Sequence, residues 1–413
     1  MSAHAHQDGA PAQLDLPLFG RPMLALLGAQ FLSSFADNAL LIVAIATLKA
    51  QAATGQIPWL QIAFVAPFIL LAPFVGLIAD AQPKGRVLMI GNGLKLIGAL
   101  GLFAGMHPLL AYGIAGIGAA AYSPAKYGIL TQFFGPEKLV RANGLLEGST
   151  IVAILIGVFV GGQLSDASLE LALNVVIGLF VLAALLNLLI PRLAIERPLH
   201  TLNPAQLARE FGDNLRVLHH NHDARDSLIA TSNFWGMGAT LRLMLFAWVP
   251  VALGLPDNGT PANLMGAVSI GIVGGALLAG LWVTLATVNR ALIGGFLLGP
   301  LVMILALIGD IWLAVGVLVA LGAAGGLFVV PMNALLQERG HETIGAGRAL
   351  AVQNFWENVA VAGFVGLFLL LTELGASIQT SMLLFGILLL ASVSGVALLR
   401  RTKAGGSAAS DTP

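Results

Sequence analysis

Apolar stretches of about twenty residues recur along this chain, separated by short polar breaks, and about twenty residues is the length a helix needs to cross roughly 30 Å of hydrocarbon. Twelve can be placed, near 23–49, 59–80, 86–105, 108–132, 142–164, 170–191, 227–253, 262–288, 291–309, 311–337, 347–371 and 376–399. No water reaches backbone groups in lipid, so each stretch must satisfy its own N–H and C=O groups, which makes it a helix. Composition agrees: 57% hydrophobic residues, 10% charged residues and a mean hydropathy of +0.89 leave more apolar surface than a soluble core can hide. The expected fold class is an all-α integral membrane protein of 12 transmembrane helices in two pseudo-symmetric six-helix bundles.

The longest polar break carries Arg192, Arg197, Arg209, Arg216 and Arg225 and divides the stretches six and six. The expected organisation is an N-terminal tail at 1–20, a bundle at 21–191, a linker at 192–226, a second bundle at 227–401 and a C-terminal tail at 402–413. Residues 1–20 have no basic segment leading into an apolar one, so they read as a retained tail and not a cleaved leader. With the N-terminus inside, most of the Lys and Arg, from Arg21 through Lys84, Arg86, Lys138, Arg141 and Arg290 to Arg400, fall on the cytoplasmic side. The opposite loops carry Asp166, Glu170, Asp257, Asp310 and Glu373. Both termini are therefore expected to be cytoplasmic. Pro124 and Pro331 lie 207 residues apart, as do Arg141 and Arg348, which is the mark of two parallel repeats.

A net charge of zero without a dense basic run excludes a nucleic-acid partner, and the lack of cysteine excludes disulfides and thiolate chemistry. His219, His220, His222 and Asp223 sit in a solvated loop and do not make a preformed metal site, so no metal and no cofactor is expected. None of the eight histidines precedes an acid at the spacing of a membrane acyltransferase, so no catalytic residue is assigned and the chain is not read as an enzyme.

An ionisable group within the bilayer costs about 3 kcal/mol or more, so such groups mark a pathway. Asp37, Glu147 and Glu357 are acidic and Lys95, Lys126 and Arg242 basic, a balance suited to a zwitterionic ligand. Gln30, Ser33, Ser34 and Asp37 share one helical face, with Asn38 beside them. Asp37 and Arg242 lie at similar depth and could pair across the bundles. Gln353, Asn354, Glu357 and Asn358 make the eleventh stretch unusually polar, and Lys126 follows Pro124 by two. The expected translocation residues are Ser33, Asp37, Asn38, Lys126, Glu147, Arg242, Gln353, Asn354 and Glu357. Gly76, Asp80, Gly85 and Arg86 resemble the loop between the second and third spans of the major facilitator superfamily, with two extra residues before Gly85 and Ala81 where a basic residue is usual. That resemblance implies a gating role for Asp80 and Arg86.

The blocks FADNALLIVAIATLKAQ, LAPFVGLIAD, KGRVLMIGNGLKLIG, AAYSPAKYGIL, ANGLLEGSTI, LRLMLFAWVPVALG, NALLQERG and GAGRALAVQNFWEN, spread from the first stretch to the eleventh, resemble the lysophospholipid transporter family of Gram-negative bacterial inner membranes. The resemblance implies a flippase that moves lysophosphatidylethanolamine and lysophosphatidylglycerol from the outer to the inner leaflet. It also implies a functional link to a cytoplasmic-side acyltransferase and acyl-carrier-protein synthetase that re-acylates them. The partners expected are thus a lysophospholipid substrate, membrane lipids and that enzyme. A proton-coupled exporter of amphiphilic small molecules, with Asp37 or Glu357 as proton site, is the alternative.

Overall fold

The structure is a computed structural model that describes residues 14–53, 56–198, 203–255 and 259–410. Most of the expected N-terminal tail, Asp257 and the last three residues lie outside the described residues. The elements, in order, are α1 (Arg21–Ala50), α2 (Ile57–Leu70), α3 (Ala72–Ala81), α4 (Lys84–Phe103), α5 (Pro108–Phe133), α6 (Pro136–Ala167), α7 (Leu169–Asn187), α8 (Pro204–His220), α9 (His222–Ala252), α10 (Gly259–Trp282), α11 (Ala291–Ala306), α12 (Ile311–Thr343), α13 (Ala346–Glu373) and α14 (Ile378–Ser410), with a 3-10 turn at Leu285–Arg290 before α11. No strand occurs among the described residues.

Ten of these helices are long and apolar enough to cross a membrane, and the pair α2 and α3, bent by 62°, supplies an eleventh crossing. The bend has a local cause. Pro73 lies at the start of α3 and Pro67 inside α2, so the ladder loses donors and the rings crowd the preceding turn. The fourth stretch, α5, spans 26 residues but falls outside that count, being rich in Gly, Ala and polar groups. It packs against α1, α2, α3 and α4, and a helix surrounded by protein needs less hydropathy than one facing lipid.

The chain clusters into two compact units, one from Met1–Leu139, Ile156–Asn221 and Leu336–Asn354, the other from Val140–Leu155, His222–Leu335 and Phe355–Pro413. In the first unit α4 packs on α5 and α7, and α1 on α7. Its core gathers Leu40, Val43, Leu48, Leu60, Tyr112 and Phe180. In the second unit α14 packs on α9 and α11, around Met244, Trp248, Phe328, Met332 and Phe385. The polar break at 192–226 is not bare chain. It contains α8, which buries Leu207, Phe211, Asn214 and Leu218 at spacings of four, three and four, and packs on α3. Asn203 caps it by accepting from Ala205 N at 3.0 Å.

Within the second unit α10 and α12 meet backbone to backbone. Gly271 and Gly275 face Val319 and Ala323, while Gly322 and Gly326 face Val268 and Ile272, so both helices present small residues four apart. A Cβ on Gly322 would run into Val268 O and stand 2.9 Å from Ile272 N, where nothing flexible can yield. Gly322→Leu is therefore expected to cost about 3 kcal/mol through overpacking. Thermal unfolding of the detergent-solubilised protein checks this, and an unchanged Tm would refute it.

Candidate functional site

The first polar cluster lies inside the first unit, between α1, α4 and α5. Gly91 of α4 and Gly118 of α5 let those two helices cross closely: a Cβ on Gly91 would sit 2.9 Å from Gly118 O. One turn along α4 from Gly91 stands Lys95, with Tyr122 of α5 against it, the ammonium 4.8 Å from the ring centroid. Lys95 Nζ donates to Asp37 Oδ2 at 2.6 Å and to Ser33 Oγ at 2.9 Å, and Ser33 Oγ donates to Asn92 Oδ1 at 2.7 Å. Ser33 and Asn92 are fully buried and Lys95 nearly so, while Asp37 keeps slight exposure. Depth along the helices paired Asp37 with Arg242; the structure pairs it with Lys95 of its own unit. Asn38 turns back on its own helix, donating to Ser34 O at 2.9 Å, and Gln30 donates to Ser34 Oγ at 2.7 Å.

Lys126 is buried near this cluster on α5, its ammonium 4.1 Å from the Tyr127 ring, and does not snorkel outward. Asn354 of α13 donates to Ser123 Oγ of α5 at 3.1 Å, with Gln353 buried beside it. Glu357 is half-buried, a turn further along α13.

The second site is a cavity of about 160 Å³ within the second unit. Glu147 and Arg242 both line it, with Asn333, Ser269, Phe234 and Trp235 and an apolar remainder of Ile and Val. Glu147 is buried and accepts from Asn333 Nδ2 at 3.5 Å. Arg242 is exposed and makes no ion pair among the described residues. Asn143, a turn before Glu147 on α6, is fully buried. A carboxylate and a guanidinium in one mostly apolar cavity can hold a small group bearing both charges.

The third cluster surrounds the start of α13. Its first three N–H groups would be orphans, yet Ala346 N donates to Glu196 Oε1 at 2.7 Å, Gly347 N to Asp80 Oδ1 at 2.8 Å and Arg348 N to Asp80 Oδ2 at 2.9 Å. Two carboxylates from distant parts of the chain thus cap one helix and offset its positive end. Lys84 bridges them, 2.8 Å from Asp80 and 2.8 Å from Glu196. Arg348 adds contacts to Asp80 at 3.4 Å and Glu210 of α8 at 3.2 Å, and His341 Nδ1 lies 2.9 Å from Glu196. Burial would raise the Glu196 carboxyl, but Lys84 and the bond to His341 outweigh it and hold it at about 2. The main chain joins in, since Glu196 N and Arg197 N both donate to Asp80 O at 3.1 Å. Gly345 before the cap has φ +106°, a left-handed geometry that glycine adopts without strain. Arg86, assigned beside Asp80 from its motif, is exposed and donates to Gln82 Oε1 at 3.3 Å; Lys84 and Arg348 are the cations at Asp80.

Of the expected residues, Asp37, Asp80, Glu147 and Arg242 lie in these clusters, together with Lys84, Asn92, Tyr122, Glu196 and Asn333, which were not among the expected site residues. Only Lys84 carried a signal, as a basic residue four positions after Asp80. His219 and His220 direct Nδ1 to Leu215 O and Arg216 O of their own helix.

Spanning helices with buried charge clusters, a charged cavity and a capped helix start define a polytopic membrane transporter. The family model of the Major Facilitator Superfamily matches residues 26–367, and the chain belongs to that family. It is 50% identical over 365 residues, 88% of this chain and 90% of the relative, to the lysophospholipid transporter LplT of Yersinia pestis (strain Pestoides F), and equally to that of Yersinia pseudotuberculosis serotype O:3 (strain YPIII). Among solved structures it is similar to the E. coli fucose:proton symporter FucP, with TM-score 0.72 and 18% identity over 92% of this chain and 98% of that one. It is also similar to the human organic anion transporter MFSD10 (TETRAN), with TM-score 0.72 and 14% identity over 91% of this chain and 99% of that one.

Proposed function

We propose that this protein transports lysophospholipids across the bilayer, from the outer to the inner leaflet of a bacterial inner membrane, with both termini cytoplasmic and with bundles at 21–191 and 227–401. The observation that carries this reading is the cavity lined by both Arg242 and Glu147, whose opposite charges and apolar walls suit a phosphate with an ammonium beside it. The names of relatives that are half identical along most of the chain support it. Ser33, Asp37, Asn38, Lys126, Gln353, Asn354 and Glu357 are further translocation residues in this reading, and the capped start of α13, with Asp80 at its centre, is the gate. The acyl chain stays on apolar surface, since each methylene held in a polar lumen costs about 0.8 kcal/mol. The lipid delivered inward is the substrate of a cytoplasmic-side acyltransferase and acyl-carrier-protein synthetase.

The test is uptake of labelled lysophosphatidylethanolamine by spheroplasts with and without this protein. A protein-dependent gain that survives an uncoupler is expected. No difference removes the lipid reading, and strong loss on adding the uncoupler favours proton-coupled export of amphiphiles.

A further inference from the structure

The cluster at Lys95 holds three buried polar atoms with no hydrogen-bond partner among the described residues: Asn92 Nδ2, Tyr122 OH and Asp37 Oδ1. Two of these can donate and belong to residues of the same cluster, Tyr122 through its ring against the ammonium and Asn92 through Ser33; the third belongs to the carboxylate now resting on that ammonium. Leaving such groups unpaired in a dry interior is costly, so native structures seldom keep them without a use. The orientation of the chain of bonds is fixed. Lys95 donates to Ser33, Ser33 has only one hydroxyl proton and gives it to Asn92 Oδ1, and the amide is therefore turned with its NH2 side unused. An ammonium, an amide N–H and a phenolic O–H make a donor set, and a donor set around a cation binds an oxyanion.

We propose that Lys95, Asn92 and Tyr122 form a second oxyanion site, in the first unit, for the phosphate of the lysophospholipid, and that Asp37 is the resident anion which that phosphate displaces. This rests on the functional reading above. The ammonium keeps a counter-charge throughout, because the phosphate monoanion takes the place that the carboxylate leaves. Asp37 thus acts as a displaceable counter-ion that returns to Lys95 and releases the lipid. Its free Oδ1 and slight exposure fit a group that moves, whereas Ser33 and Asn92 are fully buried and fixed.

The experiment measures binding of radiolabelled lysophosphatidylethanolamine to the full-length protein in nanodiscs. Asp37→Asn is expected to bind about tenfold more tightly while transporting more slowly, since nothing displaces the bound phosphate. Lys95→Gln is expected to bind about tenfold more weakly, and Tyr122→Phe and Asn92→Ala severalfold more weakly. A lone Asp37→Asn or Lys95→Gln change could upset folding, so the neutral pair Asp37→Asn with Lys95→Gln is included. It strands no charge, and its weak binding with a near-normal Tm is the expected result. Radiolabelled inorganic phosphate alone is expected not to bind; Lys95-dependent binding of it would overturn the lipid head group as the ligand. If Asp37→Asn weakens binding and wild-type binding follows sodium concentration or pH, Asp37 is a cation ligand and the proposal falls. If the wild type binds lysolipid and the Lys95 and paired variants bind equally well, this inference alone fails, whereas no binding by the wild type sinks the functional reading first.

Discussion

Asp80→Ala is expected to destabilise the protein by about 3–5 kcal/mol, the range for removing one partner of a buried ion pair. Asp80 is fully buried and its two oxygens take Gly347 N, Arg348 N and Lys84 Nζ. Truncation strands two amide donors at the positive end of α13 and leaves Lys84, itself buried, with Glu196 as its one remaining carboxylate among the described residues. Arg348 keeps Glu210, a half-exposed partner that solvent screens. The single change Asp80→Asn should cost less than Asp80→Ala, because it keeps one acceptor for the helix start and leaves Lys84 its contact with Glu196. Unfolding in detergent gives the loss, and amide exchange at residues 346–348 locates it. A loss below about 1 kcal/mol for Asp80→Ala, or protected amides at those three positions, would show that the cap is not what holds α13.

How much of this was readable beforehand follows from what local sequence encodes. Apolar length gave the crossings, since span length is a one-dimensional property. The bend between α2 and α3 was written in Pro67 and Pro73. The amphipathic spacing of Leu207, Phe211 and Leu218 was present too, but the charges of that segment led to a linker being expected where α8 stands. Charged residues in apolar stretches announced themselves by cost alone, which is why Asp37, Glu147 and Arg242 stood out as candidates. Their partners did not. Depth along a helix says nothing of which neighbour its face meets, so Asp37 was matched with Arg242 and not with Lys95, 58 residues away. Glu196 lies in a polar loop where an acid carries no cost, and its role exists only because the chain brings it to Ala346 N, 150 residues on.

Arg242→Lys is expected to lower the specificity constant for lysophosphatidylethanolamine transport by roughly tenfold to a hundredfold, and Arg242→Gln by more. A guanidinium presents two parallel N–H groups to two phosphate oxygens, and an ammonium of equal charge cannot reproduce that fork. Losing one charge-assisted hydrogen bond costs about 1.5–3 kcal/mol, which converts to that range. Arg242 has no ion pair among the described residues, so the substitution breaks no internal bridge that would confuse the result. Glu147 lines the same cavity, and in the proposed reading its carboxylate meets the ammonium of the head group. Glu147→Gln should therefore impair an ammonium-bearing lysolipid more than lysophosphatidylglycerol, while Arg242→Lys impairs both alike, because the phosphate is common to them. Initial rates in proteoliposomes with each lipid separate the two effects. If Arg242→Lys transports like the wild type, charge alone suffices and the forked contact is lost as an explanation; if Glu147→Gln lowers both lipids equally, its carboxylate serves the fold and not the head group.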